Sequence, residues 1–591
     1  MRSTFMGLEA SKKGLFVQQS ALYTTGHNIS NANTDGYTRQ RVNMQATPGF
    51  PYPGLNSPTY PGHLGTGVEA SSIQRMRDEF TDRQFRQETN KLGYWDSMLN
   101  SINQMEDILN EPSEFGINQA FTEFWKSFQD LSAQPTDSAA RKVVVARAES
   151  LAEALNYNYT QLETIQGNLG NEIHVATTQI NTILEKIALI NGQIQTLEPN
   201  GYVTNDLYDA RDLLVDELNE YLPVSIERVP SGGKASEVAE GSLRIIYKRG
   251  NDEIALVNGI HFAQIKTLGD GGDINGSMPA KPFTEITFED SGKTNANNQV
   301  GIMNRAAKKQ NAKGEEVPTI EYSLDPATAK LTYKDFEQSK GKLVSLIDSY
   351  GYVKMDVNGK PVQDNNGNKV IEGIYPEMLA NLDKVAAPFV HVFNEAHKAG
   401  YTLTKDANTN NSLTGINFFD PAGITAKTIK VSNDIITDPG KVAASNRPNE
   451  EGNGRWALEL SNMQFTNISG TFTFGAGLVP STPNATDTAG ITINIPNGGT
   501  GLDGFTFQNY YTGMIGDLAV MGDKAITNQF NAQTQMITIS NARASMNSVS
   551  LDEEMTNMIT VQQAYNANAR MITVVDETLD KIINGMGRVG L

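Results

Sequence analysis

The chain has 591 residues, with 48 Lys and Arg against 67 Asp and Glu (net charge −19), 39% hydrophobic residues and no cysteine. That length allows several domains at about 100–200 residues each. The acidic balance excludes nucleic acid as the main partner, because Lys/Arg surfaces supply that affinity; the missing thiols exclude disulfides and thiolate metal sites. No run of about 18 apolar residues is present, so no membrane span is expected. "MRSTFMGLEASKKGLFVQQ" lacks the apolar core of a cleaved secretory signal, so export would need another route.

Leu8, Leu15, Leu22 and Ile29 recur every seven residues, which predicts a heptad seam on a helix over about 4–31. "NISNANTDGYTRQ" (28–40) follows, polar and without a nucleophile or phosphate loop. Asn31 and Asn33 are expected to end the helix, since asparagine tolerates the left-handed conformation, and Asp35-Gly36 to turn the chain. "YTRQRVNMQA" then reads as extended, with Tyr37, Arg39 and Arg41 on one face. Arg39 or Arg41 is expected to meet carboxylates among Asp552, Glu553 and Glu554, in the same molecule or an adjacent one.

Helical periodicity continues over 78–112, 116–135, 137–198 and 206–222, with Leu151, Leu155, Leu162, Ile180, Ile183, Ile187 and Ile190 on one apolar stripe. At Pro223 the period changes. "VSIERV", "SLRIIYKR", "EIALVNG" and "ITFED" are short alternating runs between Gly, Asn and Asp turns, which is strand patterning. Helix returns over 375–400, a second strand-like region covers about 429–495, and helix resumes over 506–544. The C-terminus carries the clearest seam: Leu551, Met558, Tyr565, Ile572, Leu579 and Met586 at sevens, with Met555, Val561, Val575, Ile582 and Ile583 between. Ser550 with Glu553 makes a capping-box start, and Gly585 a stop. Such a helix is roughly 50 Å long, and its seam requires partner helices, the N-terminal one first.

Candidate chemical motifs resolve into structure. "GTGLDG" (Gly499–Gly504) is a literal G-x-G-x-x-G, but no second parallel strand follows it, so a β-to-helix joint is expected. In "HVFNEAH", His391 and His397 are six residues apart, about 240° around a helix, which does not suit one metal. "DNNGNKVIE" (364–372) reads as a hairpin turn because Gly367 comes too early for a calcium loop. "RAAKKQNAK" (305–313) reads as a solvated loop. No catalytic constellation, cofactor site or metal site is found, and no enzyme activity is expected.

"NISNANTDGYTRQRV" near one end and "VSLDEEMTNMITVQQAYNANARMITVVDETLDKIING" at the other resemble the paired terminal signatures of the flagellar rod, hook and hook-associated axial proteins. "VEASSIQRMRDEFTDRQFRQE", "FTEFWKSFQDLSAQPTDSAARKVVVARAESLAEALN" and "FNEAHKAGYTL…GINFFD" are similar to the hook-associated members at the hook–filament junction. The family often has Pro before the Gly-Tyr of the first motif; here Asp35 stands there, and Asp-Gly still forms a turn.

The resemblance implies a multidomain α+β fold: a coiled-coil inner domain from the terminal helices (1–75 and 546–591), a helical rod-like domain (76–222, 375–428 and 502–545), and a β-rich outer region (223–374 and 429–501). It implies a ring of identical copies between the hook protein on one side and a second junction protein or flagellin on the other. It also implies extracellular placement after unfolded export by the flagellar type III apparatus, with an export chaperone on the C-terminal helix. The expected assembly interface comprises Leu8, Leu15, Leu22, Ile29, Asn31, Asn33, Gly36, Tyr37, Arg39, Gln40, Leu551, Glu553, Met555, Met558, Tyr565, Ile572, Leu579, Ile582 and Met586. Two other readings stay open at this point: a hook or distal rod protein, and an extracellular nucleotide-binding or enzymatic protein whose only support is Gly499–Gly504.

Overall fold

A computed structural model describes residues 4–585 except 51–64, 110–112, 114–115, 277, 292–298, 311–315, 326–327, 337–338, 358, 365–366, 423, 469–470, 480–488 and 496–503. The architecture is multidomain α+β, with long helices at both chain ends and a sheet region between them. In chain order, α1 (Thr4–Ser30) leads into a hairpin of β1 (Gln40–Ala46) and β2 (Val68–Arg75), then α2 (Glu79–Leu109), α3 (Ile117–Ala133), α4 (Ser138–Leu197) and α5 (Asn205–Tyr221). The region expected as several helices over 137–198 is one α4 of 60 residues, started by Asp137, whose side chain accepts from the Ala139 N–H.

The sheet is built on β3 (Ser225–Val229), β4 (Ser242–Arg249), β5 (Asp252–Asn258) and β6 (His261–Gly269), each antiparallel to the next, with the strand Phe283–Asp290 added beyond β6. Small helices α6 (Tyr333–Phe336) and α7 (Lys342–Tyr350) close it, and α8 (Ile374–Lys398) returns the chain to the helical part. At "DNNGNKVIE", whose residues 365–366 lie outside the described residues, Gln363 and Lys369 form an antiparallel bridge, Asp364 Oδ1 accepts from the Asn368 N–H at 2.8 Å, and Ile371–Glu372 is a short strand.

The second strand-like region differs from expectation. It holds α9 (Asn433–Thr437), α10 (Arg455–Asn462) and irregular chain, and its strands are the hairpin Thr471–Val479 with Ala489–Asn494. Its Thr-, Gly- and Pro-rich composition reads as strand, but the backbone is held by side chains instead. His397 Nε2 accepts from the Ala443 N–H, and Trp456 Nε1 donates to Ala396 O. Two long helices follow, α11 (Phe507–Asn547) and α12 (Leu551–Gly585). Gly504 closes the G-x-G-x-x-G, whose residues 499–503 lie outside the described residues.

One large core runs from α2, α3 and α4 through the sheet to α8 and α11. An aromatic cluster of Phe121, Phe124, Trp125, Phe128, Phe389, Phe393, Phe418 and Phe419 packs α3 on α8, mostly edge to face. α1 and α12 contribute no residue to that core. They form a separate antiparallel pair: Asn28 meets Glu554, Gly14 faces Asn568 and Gly7 faces Val575.

Candidate assembly interface

The seam of α1 is one residue away from the expected one. Gly14, Val17, Ala21, Thr24 and Asn28, alternately three and four apart, are the buried line, whereas Leu8, Leu15, Leu22 and Ile29 are half-buried beside it. One residue is about 100° of rotation. Small side chains let two backbones approach, and the approach here is tight: a Cβ on Gly14 would lie 2.9 Å from Asn568 Oδ1. The leucines therefore flank the contact and do not fill it. On α12 the expected Met558, Tyr565, Ile572 and Leu579 face α1, half-buried, interleaved with Val561, Asn568 and Val575. Leu551, Met555 and Ile582 are instead exposed, and Met586 lies outside the described residues.

At the top of this pair sits the polar stretch. Asn28 is 1% exposed, and its amide is fully used. Oδ1 accepts from Tyr37 Oη at 2.8 Å and from the Gln40 N–H at 3.0 Å; Nδ2 donates to Gln40 O at 2.9 Å and to Glu554 Oε2 at 3.1 Å. Arg39 then clamps α12: Nε to Glu554 Oε1 and Nη1 to Glu553 Oε2, both 2.8 Å. The expected pairing of Arg39 with these carboxylates thus forms within the chain; Arg41 is exposed. The Arg39 N–H donates to Asn547 O, joining the stretch to the α11–α12 junction.

Burial, followed by Asp206, Asp209 and Glu554, pushes the Tyr37 hydroxyl far up, so it stays a donor. Gln40 Nε2 donates to Asp206 Oδ1, and the Thr38 N–H to Asp209 Oδ2, which ties the stretch to α5. Helix α1 does not end on a left-handed asparagine. Asn31 Nδ2 donates to His27 O and successive tight turns follow; Gly36 takes the positive φ of 78°, and Asn33 is exposed.

Below α5 lies a buried ionic cluster that sequence reasoning missed. Arg75 pairs with Asp209, Asp212 and Glu240; Arg77 with Asp82 and Asp212; Arg86 with Asp212 and Asp216; Arg211 with Glu240; Arg543 with Asp82 and Asp216. Burial pushes Asp212 up, but Arg77, Arg75, Arg211 and Arg86 outweigh it and hold the carboxyl well below the usual range. Burial pulls Arg211 down to about 10. The available signal was Asp209, Asp212 and Asp216, spaced three and four apart on one face of α5. Asn28 was also missed, because an asparagine on a helix looks like solvated surface.

The candidate chemical motifs take structural places. His391 Nε2 lies 2.9 Å from Asn494 O and His397 Nδ1 lies 2.8 Å from Ile416 O. No helix among the described residues is long and apolar enough to cross a membrane.

Residues 102–304 match the family model of the flagellar hook-associated protein FlgK helical domain, and 543–585 that of the flagellar basal body rod FlgEFG protein C-terminal. The chain is 35% identical to flagellar hook-associated protein 1 of Bacillus subtilis over 589 residues, covering 99% of each chain. It is 24% identical to the Escherichia coli protein of the same name, over 97% of this chain and 98% of that one. The solved flagellar hook junction protein FlgK of Burkholderia pseudomallei aligns with 79% of this chain and 100% of its own, at 13% identity and a TM-score of 0.47. The near-complete coverage at 35% identity places the chain in the flagellar hook-associated protein 1 family.

Proposed function

We propose that this chain is a structural, non-enzymatic part of the bacterial flagellum that joins hook to filament as a ring of identical copies. The observation that carries this reading is the unpartnered outer surface of the α1–α12 pair. Phe5, Phe16 and Tyr23 are 61%, 55% and 79% exposed on α1, and Met555, Ile559, Met571, Val574, Ile582 and Ile583 are exposed on α12. This many large apolar side chains left in the open on one helix pair support an interaction site. Identical copies with offset faces close into rings through heterologous contacts.

In this reading the terminal pair with its hairpin (1–75 and 546–591) is the inner assembly domain. A helical domain (76–222, 375–428 and 502–545) surrounds it, and the sheet region with the second insertion (223–374 and 429–501) faces outward. The bond from the Arg39 N–H to Asn547 O at the first boundary supports that division. Neighbours along the axis would be the hook protein and a second junction protein or flagellin. The exposed apolar side chains of α12 are also what an export chaperone would cover before passage through the type III apparatus.

Deletion of the gene tests the role: the expected outcome is an intact hook, no filament and flagellin released into the medium, whereas intact filaments refute it. Replacing Ile572 and Leu579 with Asp is expected to leave a soluble, folded central part that cannot restore filaments.

A further inference from the structure

Helix α2 and the start of β3 enclose a groove beside the ionic cluster, with a volume of about 660 Å³. Arg83, Arg86, Lys91, Lys248 and Lys340 line it against one carboxylate, Glu79, on a chain whose net charge is −19. Arg86 is held by Asp216 and Lys91 by Glu88. Arg83, Lys248 and Lys340 make no ion pair among the described residues. Arg83 and Lys248 are exposed. Lys340 is half-buried, and its ammonium lies 3.9 Å from the ring centroid of Tyr94 and 5.1 Å from that of Trp95. Burial pulls this ammonium below the usual lysine range, opposed by Asp348 and aided by Lys524. A cleft lined by one sign of charge focuses its field and concentrates ions of the opposite sign. The groove is also long. Glu79 and Lys91, both in its wall, are twelve residues apart on α2, which is roughly 18 Å. That length matches an extended peptide of about five or six residues and exceeds one small anion. The opposite wall includes Ser225 and Ile226 of β3. β3 is an edge strand: it pairs with β4 and with no other strand among the described residues. Unpaired backbone groups on such an edge can take an added strand.

We propose that this groove docks an extended acidic peptide segment of a partner protein, its carboxylates meeting Arg83, Lys248 and Lys340 and its backbone running along β3. The three cations then gain the counter-charges that the chain itself does not bring to them. The inference goes beyond the junction role and does not rest on it.

The test uses the full chain and a fluorescein-labelled peptide of three Glu-Val repeats, followed by fluorescence polarisation and hydrogen exchange. Saturable binding is expected, weakening as salt screens the charges, with no binding of the Lys-Val counterpart. The bound peptide should slow exchange along β3. Arg83→Gln combined with Lys248→Gln removes two exposed charges that form no ion pair in the fold. The double variant is expected to weaken binding roughly tenfold at an unchanged unfolding midpoint. Lys126→Gln, on α3 and outside the groove lining, should bind as the wild type does. Absence of saturable binding would overturn the inference, as would a double variant that binds as tightly as the wild type, or binding that leaves exchange along β3 unchanged. An inorganic polyphosphate chain that binds more tightly than the peptide and displaces it would assign the groove to phosphate polymers and overturn the peptide reading.

Discussion

At the scale of single residues, Asn28 shows why a polar stretch can be specific without being catalytic. An asparagine amide offers two donors and two acceptor sites, and here all four are engaged, two of them with the backbone of Gln40. Truncation strands the Gln40 N–H and one oxygen of Glu554 in a buried place, and such stranding costs about 1–3 kcal/mol per group. Asn28→Ala is therefore expected to destabilise the joint by roughly 2–4 kcal/mol. Hydrogen exchange should show faster opening of residues 28–40 and of the first turns of α12, with the sheet unaffected. His397 gives a second residue-scale effect. It is buried, and burial holds its pKa down to about 4, against about 6.5 in an unfolded chain. The folded state therefore binds fewer protons. Its contribution is complete above about pH 6.5 and is lost as pH falls toward 4, a loss of roughly 3 kcal/mol. Urea unfolding of wild type and His397→Gln at pH 7 and pH 4.5 isolates it, because the variant should lack that part of the acid loss.

At the scale of elements, the α1–α12 pair depends on close approach more than on bulk. Leu8, Leu15, Leu22 and Ile29 were visible in the sequence because they are large, while the line in contact is made of Gly14, Val17, Ala21, Thr24 and Asn28. Period alone identified the helix and its seven-residue repeat, but small and polar residues carry no hydropathy signal, so the face was misplaced by one position. Gly14→Leu is expected to force Asn568 aside and separate the helices, with loss of exchange protection over 551–585; Leu15→Ala should leave the pairing in place. The same limit explains the second insertion. β4 was legible down to its ends because its apolar run Leu243, Ile245, Ile246 and Tyr247 is buried in a sheet, whereas the described parts of 429–495 take their shape from single close contacts, such as Trp456 Nε1 donating to Ala396 O. Another is the close backbone approach at Gly454, where a Cβ would fall 2.0 Å from Ser132 O, and pattern reading cannot see such a constraint. The joint between the terminal pair and the rest was half legible. Arg39 and its acids could be matched by charge, but their geometry needed the turn at Gly36 and the position of α5.

At the scale of the whole molecule, the ionic cluster joins segments that are far apart in the chain. It brings together β2, the start of α2, one face of α5, the Glu240 loop and the end of α11, with five guanidiniums against five carboxylates. Each arginine read alone is a surface charge, so the cluster could not be assembled from sequence. Such a network is weak evidence of net stability, because desolvation offsets much of the attraction, yet breaking it is costly since the remaining charges stay buried. Arg543 is the informative member: Nε lies 2.8 Å from Asp82 and Nη2 2.6 Å from Asp216, so it alone links α11 to both α2 and α5 in the cluster. Arg543→Met keeps much of the side-chain volume over Phe85, whose ring centroid is 4.3 Å from the guanidinium carbon, and removes the charge. It is expected to cost about 3–5 kcal/mol and to raise exchange together at the end of α11, the start of α2 and the middle of α5. If the cost comes from stranded carboxylates, adding Asp216→Asn should recover part of it, with a coupling on the order of 1–3 kcal/mol between the two sites. Strict additivity would show that Arg543 acts through packing on Phe85, and the link between the terminal helices and the central part would then rest on the Asn28–Arg39 joint.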